Sequence, residues 1–175
     1  VTRNAVKKYQ ADNKLKSDGI AGRNTLAKLM GIKLDGSSKT DYTKPDSKRL
    51  EKLYATLNEK QRDEIDLLSH LIYAEAGNEC YEGLVAVGSV VMNRMEASGK
   101  SMHDVIYQKN AFSVVKSGSI NKTPTAICRL AAIDAYFGAR PVSTAQFFNM
   151  KNITDSWAAK NRKLYRIIGC HAFYI

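Results

Sequence analysis

Long apolar runs are missing from this 175-residue sequence. None approaches the ~20 residues that a bilayer-spanning helix needs, so no membrane span is expected within it. Cysteine is scarce. Cys80, Cys128 and Cys170 are odd in number and lack CxxC spacing, so neither a zinc site nor a dithiol motif is expected, and no metal or other cofactor. Acid is short relative to base: 17 Asp and Glu stand against 27 Lys and Arg, a net charge of +10. The imbalance is uneven. Residues 1–60 carry 14 basic and 7 acidic side chains, and residues 61–175 carry 13 and 10. No helix-turn-helix, zinc-finger or RNA-binding motif accompanies the scattered lysines, which argues against nucleic acid and leaves a membrane surface or an acidic polymer as the anionic partner, with a Lys-rich soluble surface as the plain alternative. No internal repeat appears, so a solenoid is excluded. The chain opens at Val1 without a signal peptide, which is the expectation for a processed product.

What is present is organised around Leu67-Leu-Ser-His-Leu-Ile-Tyr-Ala-Glu-Ala-Gly-Asn-Glu79. The spacing predicts an amphipathic helix from about Arg62 to Gly77, with Asn58 and Gln61 forming a capping box. At about 100° per residue, Glu75 falls on the stripe of Leu68 and Leu71 that should face the core. A buried carboxylate pairs with a cation, or raises its pKa and keeps its proton. The second outcome makes a general acid that works near neutral pH. The first would make Glu75 a structural ion pair, with Arg94 and Arg140 as candidate partners. Gly77 is expected to break the helix and open the backbone beside Glu75.

Residues 1–31 read as two short helices around an Asp-Gly turn, and residues 32–58 as a charged, Ser- and Gly-containing linker. Lys48 to Leu57 within it has leucines at helical spacing. From 59 to 175 the pattern is mainly helical. A second helix, from about Tyr81 to Ala97, is apolar nearly all round, with Ala86, Gly88 and Ser89 small enough to admit a neighbouring helix. Asn93-Arg94 marks its emergence toward solvent. Residues 110–115 read as a loop or short strand. Thr123-Pro124 starts another helix ending at Gly138, with Asp134 at the edge of its stripe as a second candidate carboxylate. Ala145–Asn149 reads as a strand, and Lys163–Ile175 as two strands meeting at Gly169. The fold class is therefore mainly α, with a small β element.

Two resemblances follow from ordered motifs. Tyr9-Gln10, Asn13-Lys-Leu15, Asp18-Gly-Ile-Ala-Gly22 and Thr25-Leu26 resemble the second half of the peptidoglycan-binding type 1 module, with Lys14 where glycine is usual. Further on, Tyr73-Ala-Glu-Ala-Gly-Asn-Glu79, Tyr81-Glu-Gly83, Val91-Met-Asn-Arg94, Phe112-Ser113, Phe147-Phe-Asn149 and Ile168-Gly-Cys-His-Ala-Phe173 resemble the SleB-type cell-wall hydrolase family. Asn78, Cys80, Ala111 and Cys170 depart from its usual residues.

The second resemblance implies a compact lysozyme-like domain, akin to resuscitation-promoting factors, that cleaves the β-1,4 bond between N-acetylmuramic acid and N-acetylglucosamine. Its catalytic acid matches Glu75. Phe148, Asn149 and His171 match its terminal β motifs and are expected to line the cleft, with Phe112 and Ser113 on the rim. Glu79, just past the helix break, is expected to bind substrate or tune Glu75. The resemblance further implies an extracytoplasmic place in cell wall or spore cortex, and a monomer on glycan strands is expected.

The count of carboxylates sets the expected mechanism. An ordinary glycosidase needs two, ~5–9.5 Å apart. A lytic transglycosylase needs one, which protonates the glycosidic oxygen and then deprotonates the muramic C6 hydroxyl as it closes to a 1,6-anhydro ring. With only Glu75 convincingly placed, the transglycosylase leads. The alternatives are a two-carboxylate muramidase, with Glu79 or Asp134 as the second acid, a cysteine amidase or peptidase pairing a thiol with His171 or His103, and a non-catalytic wall-binding protein.

Overall fold

The computed structural model describes residues 3–15, 17, 19, 25, 28, 29 and 44–175. The chain divides into two compact units, Val1–Asp41 and Tyr42–Ile175. Half of the expected Thr25–Met30 helix, most of the Asp18–Gly22 turn and linker residues 32–43 lie outside the described residues.

The first unit begins with α1 (Arg3–Asp12). Gln10 in its last turn is only 1% exposed. A buried amide must satisfy both its ends. Its nitrogen donates to the Thr25 hydroxyl at 2.9 Å, and its oxygen accepts from the Gly19 backbone at 2.7 Å. The Tyr-Gln, Asp-Gly and Thr motifs are thus tied together by one side chain. Lys14 adopts the left-handed backbone (φ 57°), which accounts for the glycine usual there in the module it resembles.

The second unit starts with α2 (Ser47–Ala55), capped by Asp46. The sequence reading placed this helix in the linker, but Leu50, Leu53 and Leu57 are 0%, 4% and 7% exposed, buried in the core of this unit. Next come α3 (Glu59–Ala76) and α4 (Tyr81–Ser98). The capping box on α3 is present: Gln61 N–H donates to the Asn58 side chain, and the Gln61 side-chain oxygen accepts from Asn58 N–H. Gly77 ends α3 in the right-handed region (φ −56°), so its value is not positive φ. A Cβ there would meet the Tyr73 carbonyl oxygen at 2.6 Å.

Helix α4 is the central rod. Apart from half-buried Glu82, its residues from Tyr81 to Val91 are buried, and it packs against both α3 and α7 (Ala126–Tyr136). A Cβ on Gly88 would sit 2.8 Å from that of Ala135 and 3.0 Å from Ile72, so glycine here sets the helix spacing. The capping residue of α7 is Thr125, not Thr123, because Thr125 accepts from Cys128 N–H and the helix starts after it.

Between them lie α5 (Met102–Ile106), α6 (Ser113–Lys116) and a 3-10 turn (Ser119–Asn121). Of residues 110–115, expected as a loop or short strand, 113–115 belong instead to the single helical turn Ser113–Lys116. The chain then forms β1 (Phe147–Met150), α8 (Trp157–Asn161), β2 (Leu164–Ile168) and β3 (His171–Tyr174). Among the described residues the strands form one antiparallel sheet, ordered β1-β3-β2. Phe148 lies opposite Phe173, and Met150 and Ile168 both lie opposite His171.

One side of α4 aims this sheet. Ser89 donates to the Ala139 carbonyl at 2.9 Å, Asn93 to the Ser143 and Ala145 carbonyls at 2.8 Å each, and Arg94 to the Gln146 carbonyl at 2.7 Å. Asn93-Arg94 therefore does not emerge toward solvent. It grips the loop that delivers β1.

Candidate active site

Glu75 lies in the last turn of α3 and is half-buried. Removal from water raises its pKa above the ordinary 4.5, against the opposing pull of the Arg94 charge and a hydrogen bond from Val114 N–H. That donor has a clear origin. Helix α6 begins after Phe112, which offers no side-chain cap, so its first-turn N–H groups look outward for an acceptor. Of the two arginines considered as partners, Arg94 is the one that acts on Glu75. Arg140 donates to the Ala135 and Ala139 carbonyls and pairs with Glu96 at 2.9 Å. Arg94 attracts Glu75 without an ion-pair contact. Its guanidinium lies over the Phe112 ring at 4.8 Å, and burial lowers its own pKa.

Glu75 opens on a cleft of about 440 Å³ whose wall includes Tyr73, Glu79, Lys122, Met150 and His171. Glu79 reaches under the β2–β3 turn. Both its oxygens accept from Cys170 N–H, at 3.2 and 3.1 Å. A Cβ on Gly169, where φ is 57°, would collide with this carboxylate, so the turn needs glycine for backbone and for space. His171 is 4% exposed. Its buried Nδ1 has no hydrogen-bond partner and faces Glu79 Oε1 at 3.5 Å. Burial lowers the His171 pKa and Glu79 opposes that, so the ring is neutral at neutral pH.

The structure thus brings Glu75, Glu79 and His171 to one cleft. Phe148 stands behind His171, edge-on at 5.4 Å, and packs toward Phe112 at 6.3 Å. Phe112, 6% exposed, forms part of this backing rather than an open face. Ser113 is exposed at the start of α6, next to the Val114 N–H that reaches Glu75. Asn149 is turned away: its amide nitrogen donates to the Met150 and Ile153 carbonyls, and its oxygen accepts from Ser156. Its side chain braces the turn after β1 and is not offered to the cleft. Asp134 is not a cleft residue either. It is 5% exposed, 2.6 Å from Arg49 and 3.4 Å from the Tyr81 hydroxyl, which ties α2 and α4 to α7. Tyr73 was legible two residues before Glu75. Lys122 carried no signal, because a lone lysine after a turn looks like any solvated residue. Among the described residues no group of side chains is arranged to hold a metal ion.

Two family profiles match the sequence. Residues 1–29 match the putative peptidoglycan binding domain, and residues 78–174 match the cell wall hydrolase family. The chain belongs to the cell wall hydrolase family. It is similar to a spore cortex-lytic enzyme of Bacillus cereus, 27% identical over 186 residues that cover 97% of this chain and 71% of that protein. A spore cortex-lytic enzyme of Bacillus subtilis is 35% identical over 114 residues, covering 63% of this chain and 37% of the other. Among solved structures, the catalytic domain of the Bacillus cereus SleB protein superposes with a TM-score of 0.60 at 29% identity, covering 65% of this chain and 91% of that one. The catalytic domain of the germination-specific lytic transglycosylase SleB from Bacillus anthracis gives 0.62 at 28%, covering 69% of this chain and 100% of the other. The cell wall hydrolase is thus a lysozyme-like enzyme of peptidoglycan, as the resemblance implied. The profile match begins just after Glu75, so the part Glu75 plays is argued from its surroundings.

Proposed function

We propose that the chain cleaves the muramic acid–glucosamine β-1,4 bond of peptidoglycan as a lytic transglycosylase of spore cortex, with Glu75 as sole acid and base. One observation carries this reading. Glu75 is the cleft carboxylate whose pKa is raised by burial, so its acid form persists to higher pH than that of an ordinary carboxylate. Protonated Glu75 donates to the glycosidic oxygen as the bond to C1 of the muramic residue breaks. The carboxylate so formed then takes the proton of the C6 hydroxyl of that same residue, and the alkoxide oxygen closes on C1. Arg94 and the Val114 N–H steady the anion between the two steps. The neutral His171 ring, 4% exposed and backed by Phe148, is packed into the wall of the cleft and is not an open stacking face. Glu79 holds the β2–β3 turn against the end of α3 and so fixes where that wall stands.

A second reading rests on Glu79 lining the same cleft: it would serve as the base for a water, giving hydrolysis. The spore cortex-lytic names of the relatives support cortex as substrate, and the peptidoglycan-binding match supports residues 1–31 as the part that holds the wall while the remainder cuts it. Action outside the cytoplasm follows from that substrate. Mass spectrometry of fragments released from purified cortex and from vegetative peptidoglycan tests all of this. Anhydro-muramic ends from cortex are expected. Reducing muramic ends would overturn the transglycosylase in favour of the Glu79 reading, and no release from either would overturn catalysis.

A further inference from the structure

A second cleft, of about 550 Å³, lies on the opposite side of β1 from His171, and none of the residues lining it lines the cleft of Glu75. Its volume is within the ~300–1,000 Å³ usual for small-ligand sites. Alternation along β1 separates the two. Phe148 packs toward His171, whereas Phe147 packs toward Trp157 at 5.3 Å. Arg94 is common to both sides, with its guanidinium over Phe112 at 4.8 Å and over Phe147 at 5.7 Å.

The lining has a consistent chemistry. Trp157 is 57% exposed although Arg162 stacks on it at 4.9 Å, so an open apolar ring remains in a polar cleft. Such a ring suits the apolar face of a pyranose. Around it stand Gln108, Lys109 and Asn110, and no Asp or Glu lines the cleft. The Gln108 oxygen already accepts from Lys100 at 3.1 Å, which leaves the Gln108 amide as a donor. Asn110 is held by a left-handed backbone, φ 63°. Lys109 is exposed and has no ion-pair or hydrogen-bond partner among the described residues. Donors and a free cation without acids ask for a ligand rich in acceptors that carries negative charge.

We propose that this cleft binds a muramyl-peptide unit of peptidoglycan, with the sugar against Trp157 and a carboxylate of the stem peptide at Lys109. The inference rests on peptidoglycan being the substrate and adds a second point of attachment, away from the bond that is cut.

Trp157 is the only tryptophan in the chain, so it reports on this cleft alone. The intact Glu75→Gln protein, which does not consume ligand, would be titrated with a soluble glucosaminyl-muramyl dipeptide, whose peptide carries free carboxylate, while Trp157 fluorescence is followed. A saturable change is expected, weakened at least tenfold by Lys109→Gln and by Asn110→Gly, which keeps the left-handed backbone. Chitobiose, with similar rings but no carboxylate, is expected to bind at least tenfold more weakly. No saturable change, equal binding by both variants, or equal binding of chitobiose would overturn the proposal. The titration is independent of bond cleavage. Trp157 silent in the Glu75→Gln protein while the wild-type chain releases fragments refutes this site alone, whereas a responsive Trp157 with no fragment release by the wild-type chain refutes the catalytic reading alone.

Discussion

Replacing Glu75 by glutamine separates chemistry from architecture at a single position. Glutamine preserves length and shape, and its carbonyl oxygen still accepts the Val114 N–H. What disappears is the transferable proton. General acid–base catalysis is worth about 10²–10⁴ in rate, and in the proposed mechanism one group serves both halves of the reaction, so a loss toward the upper end is expected. Stability should move the other way. Burial raises the Glu75 pKa above 4.5, so the folded state disfavours the ionised form. The wild-type chain therefore has its full stability below that value and loses part of it as pH rises through the raised pKa. Glutamine carries no such penalty. Glu75→Gln is expected to melt at or above wild type at pH 7, with the difference closing at about pH 4. The assays are release of soluble muropeptides and thermal melts at both pH values. A variant that retains activity within about tenfold of wild type, or that melts lower at neutral pH, would refute the reasoning. The same pKa sets the pH profile: wild-type turnover should fall on a basic limb lying above 4.5, as the acid form is depleted.

Asp134→Asn breaks a largely buried pair with Arg49, and a loss of about 3 kcal/mol by chemical denaturation is expected, with turnover per folded molecule unchanged because Asp134 is outside the cleft. Gly88→Val drives a side chain into Ala135 and Ile72 and is expected to cost roughly 1–3 kcal/mol in the same assay. Gly169→Ala puts a methyl against the Glu79 carboxylate on a left-handed backbone, so a loss of roughly 1–2 kcal/mol or more is expected, together with slower fragment release. Cys170→Ser is expected to keep muropeptide release near wild type, and loss of release would revive the thiol nucleophile.

Periodicity carried most of the architecture. The stripe of Leu68 and Leu71 and the Asn58–Gln61 box were enough to place α3, because both signals are local. Gly88 announced close helix contact for the same reason: only a small residue fits there. What was not legible depended on partners far along the chain. Asn93 and Arg94 look like a polar exit from an apolar helix. Their buried role arises only because carbonyls some fifty residues later come to meet them. Asn149 matched a cleft motif, yet its amide is committed to the turn that follows it. The extent of the linker was misread because leucines at helical spacing do not name the surface that will bury them, and that surface includes α7. At the site, Glu75 and Glu79 stood in one motif, but that His171 faces Glu79 required the β2–β3 turn to fold under α3.

The case for a single acid finally rests on what the other carboxylates are doing. Asp134 is neutralised by Arg49, Glu96 by Arg140 and Glu82 by Arg166. Glu64 accepts from the Tyr136 hydroxyl, which, with burial, pushes the tyrosine pKa up. Glu79 takes the Cys170 N–H with both oxygens. Each of these is already engaged by a donor. Glu75 has one backbone N–H and an arginine at a remove, too little to offset its loss of water. A protein that needed only a structural pair at this point would place Arg94 in contact with the carboxylate. Instead Arg94 is spent on the Gln146 carbonyl and on two aromatic faces, which keeps its charge near the site without quenching the acid. That division predicts opposite kinetic signatures for the two residues. Glu75→Gln removes the proton and abolishes release at every pH. Arg94→Gln removes the opposing charge, so the Glu75 pKa rises further and the basic limb of the pH profile shifts upward while residual activity persists. An Arg94→Gln limb that stays in place would mean that Arg94 only supports the wall of β1.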